Sequence, residues 1–207
     1  MAAEDILCNT CNHGLPRTLF HLNPKENIMA QRFWFLVPVE NAAAFFFYVP
    51  KSETSKIVHA FKYCDRPDVA EYLGSMYAGE ILPSGFFDGI EVIVPVPLAR
   101  KRQRQRGYNQ SQMIALGISS VTGIPVSSDA VSRCRFEKSQ THVMTSERLA
   151  NVDGLFRLDD AKSLHGKHIL VVDDVMTTGS TLLSCCEAIK QAGGVKISIL
   201  TLGYTYS

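Results

Sequence analysis

The chain has 207 residues, 46% of them hydrophobic, which suffices for one substantial core and a small appendage and argues against a second full domain. Twenty-one basic residues against twenty acidic ones give a formal charge of +1, so no global charge marks a nucleic-acid or membrane-surface binder, and any such role must come from local charge. Met1-Ala2-Ala3-Glu4-Asp5 has no basic start followed by an apolar stretch, and no apolar run approaches ~18 residues; the expectation is a soluble, cytoplasmic protein without membrane insertion.

Near the start, Cys8 and Cys11 form a Cys-x-x-Cys pair, half of a zinc ribbon. A closed structural zinc site needs four ligands, and the spacing of His13 and His21 fits no common finger, so zinc is doubtful and two leftover thiols are the alternative. The other cysteines are scattered or adjacent, a poor disulfide framework, and reduced thiols are expected. Pro16, Pro24 and Pro38 punctuate the first fifty residues, within which 42–48 read as an apolar strand. Residues 1–50 are therefore expected to form an N-terminal, hood-like piece, and 51–207 the main domain.

From Ser52 onward Ile57, Val58 and Phe61 recur at helical spacing, and after Pro67 a second pattern predicts a helix reaching about Leu82. Residues 91–94 form a β-branched run halted by Pro95 and Pro97, which cannot donate to a central ladder. A basic stretch follows; it reads as a loop in which five of the seven residues from Arg100 to Arg106 are cationic. Met113 to Val121 predicts a helix and Val126 to Val131 a short strand. Residues 132–153 have no sustained period and read as a long loop, either a lid or a surface segment. Residues 168–172 predict a buried strand, 178–191 a helix closed by Gly193-Gly194, and 195–204 a last strand. This alternation predicts an α/β fold with a mostly parallel central sheet flanked by helices.

The chemistry concentrates where two acids, Asp173 and Asp174, end a buried strand and Thr177, Thr178, Gly179, Ser180 and Thr181 open a helix. Open α/β sheets bind ligands beyond the carboxyl ends of their strands, and backbone N–H groups at a helix start suit a phosphate. Two adjacent carboxylates can accept hydrogen bonds from a vicinal diol, so a sugar phosphate satisfies both halves. A receiver-type domain would need further strands downstream, and no Gly-x-Gly-x-x-Gly supports a dinucleotide fold. The basic stretch directly after another strand suits a second anion, by charge-assisted bonds from Arg100, Lys101, Arg102 and Arg106; the rivals are a solvated turn or a nucleic-acid contact.

The run from Ile169 to Thr181 resembles the motif by which type I phosphoribosyltransferases bind 5-phosphoribosyl 1-pyrophosphate (PRPP). Val94-Pro95-Val96-Pro97-Leu98, the basic run, Arg106-Gly107-Tyr108-Asn109-Gln110, the segment His59 to Tyr63 and the spacing of Gln140, Arg148, Asn151, Val152, Gly154 and Phe156 resemble the ComF family of competence-associated phosphoribosyltransferase homologues. The matches run from about Ile57 to the C-terminus; the single Cys-x-x-Cys departs from the two pairs such proteins commonly carry. The resemblance implies a type I phosphoribosyltransferase fold, with Asp173 and Asp174 catalytic and facing the ribose hydroxyls. It assigns the 5′-phosphate to residues 177–181 and the pyrophosphate to the basic run. Gln140 and Arg148 are lid candidates. It further implies transfer of ribose 5-phosphate to an unidentified nucleophile, a base among the candidates, with Mg2+ near Asp173 and Asp174, directly or through water. The alternative is a non-catalytic PRPP-binding protein that handles single-stranded DNA during uptake. A homodimer is compatible with either.

Overall fold

The computed structural model describes residues 6–134 and 154–206. A short helix α1 (Asn9–His13) and helix α2 (Ile28–Gln31) lead into β1 (Val39–Phe47), followed by helices α3 (Glu53–Tyr63) and α4 (Pro67–Ile81). Then come β2 (Val92–Pro95), α5 (Arg100–Arg106), α6 (Gln110–Thr122) and the short strands β3 (Val131–Arg133) and β4 (Phe156–Leu158). The chain continues through α7 (Ala161–Leu164), β5 (His168–Met176), α8 (Ser180–Lys190) and β6 (Lys196–Tyr204). The central sheet has four strands in the order β1-β6-β5-β2, and its pairings are all parallel. This is the α/β architecture expected from the alternation.

The strand expected at 42–48 belongs to that sheet. β1 pairs with β6 from Val39–Ile197 to Phe47–Tyr204, so a boundary at residue 50 separates a strand from its own sheet. Ala42 to Phe46 are fully buried, as a strand covered on both faces requires. The free edge of β1 is closed by the chain that precedes it. Thr18 N–H donates to the carbonyl of Phe45 at 3.1 Å, Phe47 N–H to that of Pro16 at 2.8 Å, and Asn27 Nδ2 to that of Ala42 at 2.8 Å. Strand edges left open invite pairing with other chains, and the irregular N-terminal segment removes that option here. On one face, Tyr77 of α4 stacks on Phe45 with ring centroids 4.6 Å apart and donates its hydroxyl to the Ala44 carbonyl at 2.9 Å.

Two further expectations need correction. The basic run is not a loop but helix α5, since Arg, Lys and Gln are good helix formers and Gly107, at φ 79°, ends the helix in the left-handed region. The strand expected at 126–131 is reduced to one bridge from Val126 to Ile93, and the ladder forms instead between β3 and β4, antiparallel, from Val131–Leu158 to Arg133–Phe156. β3 and β4 flank the segment in which Gln140 and Arg148 fall; both lie outside the described residues.

Helices α4 and α6 cross with backbones in direct contact. A Cβ on Gly74 would lie 2.4 Å from the Ile114 carbonyl oxygen, and one on Gly117 would lie 2.0 Å from that of Glu71. The crossing brings the start of α6 against the sheet, beside the acids of β5. Asn109 caps α6, accepting from Ser111 N–H at 3.2 Å while its own amide donates to the Val96 carbonyl at 3.0 Å, an arrangement worth about 1 kcal/mol.

Candidate active site

β5 continues beyond Val172 through both acids to Met176, with Asp173 paired to Thr201 of β6. The ladder therefore fixes the backbone of Asp173 at the strand end. Asp173 is the more constrained. One of its oxygens, Oδ1, accepts from Ser111 Oγ at 2.9 Å and from the Asp174 N–H at 2.9 Å. Burial, and next to it the charge of Asp174, push the Asp173 carboxyl up to about 7, against the lowering influence of those hydrogen bonds and of Lys62. Asp174 accepts from Val175 N–H at 2.6 Å, and its Oδ2 lies 3.0 Å from Lys62 Nζ of α3.

Next along the chain, Gly179 takes φ 84° and caps α8. Only glycine adopts that conformation without cost, and a Cβ there would stand 2.7 Å from Met176 Cε. Thr178 Oγ and Ser180 Oγ share a 3.1 Å hydrogen bond across the turn. The first turn of α8 leaves backbone N–H groups without helical acceptors, as any helix start does, and sets the positive end of its dipole beside the strand end.

The acids open onto a cleft of about 1410 Å³, above the usual range for small-ligand sites. Asp173, Asp174, Thr177 and Thr181 line its sheet end, together with Gln110 and Ser111 at the start of α6. Lys56, His59, Lys62 and Tyr63 of α3 form one wall, and Arg102, Arg104 and Arg106 of α5 another. Of the four cations singled out from the sequence, Arg102 and Arg106 are part of this lining, whereas Arg100 and Lys101 are not. The guanidinium of Arg106 lies 4.9 Å from the centre of the Tyr63 ring and donates to Gln110 Oε1 at 2.9 Å, which fixes it between the two walls. Gln110 is fully buried and its Nε2 has no hydrogen-bond partner among the described residues, so a donor at the cleft is uncommitted.

Sequence reasoning gave no role to Lys62, Ser111 or Arg133. Arg133 of β3 packs over Phe156 at 5.4 Å and lines the cleft; burial, and next the charge of Arg102, lower its pKa, while Asp173 opposes them. Lys62 lies in the segment His59 to Tyr63 that carries part of the ComF resemblance, whereas Ser111 and Arg133, remote in sequence from the acids, left no local signal beyond their residue types.

At the N-terminus, Cys8 caps α1 and its sulfur accepts from the Cys11 N–H at 3.4 Å. Among the described residues no group of three or more His, Cys, Asp or Glu is placed to hold a metal ion, so His13 and His21 do not complete a four-ligand set. Among them, too, no helix is long and apolar enough to cross a membrane.

A parallel sheet with an acid pair at a strand end, a Thr/Gly/Ser turn opening a helix and a cationic wall opposite defines a phosphoribosyltransferase-like site. Residues 94–204, more than half of the chain, match the phosphoribosyl transferase domain, and the protein belongs to that family as a ComF-type member. It is similar to the DNA utilization protein YhgH of Escherichia coli K12, 30% identical over 203 residues that cover 96% of this chain and 84% of that one. It is also similar to competence protein F of Haemophilus influenzae, 33% identical over 110 residues (53% of this chain, 48% of that protein), and to competence protein ComFC of Bacillus subtilis, 30% identical over 112 residues (54% and 43%).

Proposed function

We propose that the cleft binds PRPP and that the protein transfers its ribose 5-phosphate to a nucleophile, releasing pyrophosphate. The observation that carries this reading is the convergence, on one cleft, of the Asp173–Asp174 pair, the start of α8 and the arginines of α5. In this reading the turn 177–181 receives the 5′-phosphate through backbone N–H groups and hydroxyls. The carboxylates of Asp173 and Asp174 accept the ribose hydroxyls, and Arg102 and Arg106 hold the pyrophosphate by charge-assisted bonds.

The bond that breaks joins C1 of the ribose to the pyrophosphate oxygen, and positive charge develops on the ring as it does. Carboxylates beneath the ring and guanidinium groups on the leaving group stabilise both charges, a mainly electrostatic contribution. Because Asp174 is already paired with Lys62, a magnesium ion would sit on the pyrophosphate, held by phosphate oxygens and waters and reaching the carboxylates only through water. Bound there, magnesium would neutralise charge on the departing pyrophosphate. The ring-facing duties fall to Asp173 and Asp174.

Titration calorimetry of PRPP with magnesium against the parent protein and the Asp173→Ala/Asp174→Ala double variant tests the reading. Micromolar binding that the double variant loses supports it, and absence of binding by well-folded parent protein overturns it. A second reading is favoured by the names of the relatives: PRPP is a ligand without turnover, and the cationic walls of the cleft hold single-stranded DNA. Binding of PRPP without pyrophosphate release in the presence of any acceptor, together with a salt-dependent affinity for single strands, distinguishes it.

A further inference from the structure

We propose that Lys62 is the resident cation of the acidic pair, so that Asp173 and Asp174 receive the ribose diol with an ammonium group, not a metal ion, balancing their charge. The inference rests on the PRPP reading above and adds to it a positioning residue and a consequence for metal dependence. PRPP is a polyanion, and two uncompensated carboxylates at the floor of its site would repel the pyrophosphate that it carries. That charge faces Lys62, whose Nζ lies 3.0 Å from Asp174 Oδ2.

The geometry is that of a built contact. Both side chains are largely withdrawn from solvent, 20% exposed for Lys62 and 16% for Asp174, so water screens the pair weakly. The last turn of α3 that carries Lys62 is itself held in place, because the Tyr108 hydroxyl donates to the Phe61 carbonyl and ties α3 to the turn between α5 and α6. Arg106, the last residue of α5, rests on Tyr63, the next residue of α3. The helix turn that carries Lys62 is therefore tied to the wall formed by α5, and the Lys62 side chain to Asp174. A merely structural ion pair would gain little here, since two partly buried charges lose hydration on pairing, and apolar replacements of similar size are often as stable. A pair that opens onto the cleft is instead placed to meet the ligand.

The test uses ribose 5-phosphate, which has the diol and the 5′-phosphate and lacks the pyrophosphate that would bring magnesium with it. Calorimetric titrations are run on the parent, Lys62→Gln and Lys62→Arg, each in EDTA and in millimolar magnesium, with thermal melts to confirm folding. The parent is expected to bind equally well in both buffers. Lys62→Gln is expected to lose about tenfold or more in EDTA and to recover most of it in magnesium, the metal taking the place of the ammonium, while Lys62→Arg stays near the parent. The inference is overturned if folded Lys62→Gln binds like the parent in EDTA, if magnesium fails to rescue it, or if the parent itself requires magnesium. A parent that binds in neither buffer overturns the sugar-phosphate reading of the site, an outcome distinct from the other three.

Discussion

Ser111 Oγ donates to Asp173 Oδ1 at 2.9 Å, joining the first turn of α6 to the carboxyl end of β5. The bond favours the ionised acid, which is the form that accepts from ribose hydroxyls. Ser111→Ala should push the Asp173 carboxyl above its present value of about 7. Affinity for PRPP would then rise with pH later than in the parent, with the largest deficit, about tenfold, near neutrality and little deficit at pH 9. Calorimetry across pH 6–9 on both proteins checks this; superimposable profiles would remove Ser111 from the site.

The same carboxyl should leave a mark on stability. Its folded value of about 7 stands above the ordinary 3.8, so between those two the native state binds more protons than the unfolded chain. The contribution of Asp173 is thus fully present below about pH 4 and is lost as pH rises through 7. Asp173→Asn, which cannot ionise, should exceed the parent in stability at pH 8 by about 1–3 kcal/mol and lose that advantage toward pH 4. Urea unfolding at the two pH values measures the difference, and a constant difference would contradict the linkage.

The four cations first considered for pyrophosphate should separate into two classes. Arg106 lines the cleft and is braced by Tyr63 and Gln110, so Arg106→Ala should weaken binding of inorganic pyrophosphate by tenfold or more, roughly 1.5–3 kcal/mol. Arg100 is exposed and apart from the lining, and Arg100→Ala should change affinity by less than about twofold. Equal losses would mean that only the summed charge of α5 matters.

Two glycines in helices make a contrasting pair. A Cβ on Gly117 would come within 2.0 Å of the Glu71 carbonyl oxygen, and backbone on both sides leaves no flexible side chain to yield. Gly117→Ala should cost about 3 kcal/mol or more and displace the start of α6 from Asp173. Gly79, in α4, has nothing within 4 Å of the same position, and Gly79→Ala should stabilise the protein by about 0.5–1 kcal/mol through helix propensity alone. Thermal denaturation of the two variants decides whether close crossing, and not helix content, sets the requirement.

At the phosphate turn, Gly179→Ala places an L side chain at φ 84° and 2.7 Å from Met176 Cε. The strain should destabilise by about 1–2 kcal/mol, and, if the turn receives the 5′-phosphate as proposed, affinity for ribose 5-phosphate should fall more than stability does. Normal affinity in a folded variant would dissociate the turn from phosphate binding.

The acid pair and its turn could be read along the chain because strand, carboxylates and helix start are contiguous from Ile169 to Thr181, so local order alone brings them together. Helices α3, α4, α6 and α8 were legible for a similar reason, since each repeats its apolar residues at a period that one stretch contains. In residues 100–106 the five cations carry no apolar period that would mark a helix face, and α5 is encoded instead by the helix-forming tendency of Arg, Lys and Gln and the stop at Gly107.

What the sequence determined by itself was the α/β alternation, the two acids, the Thr/Gly/Ser turn that follows them and the family to which they belong, all properties of neighbouring residues. Only the tertiary structure decided that β1 closes the sheet beside β6, that Ser111 meets Asp173 and Lys62 meets Asp174, and that Arg102 and Arg106 line the cleft while Arg100 and Lys101 do not. Parallel pairing and helix crossing join residues far apart in the chain, and no local period encodes which distant partner a strand or side chain will meet.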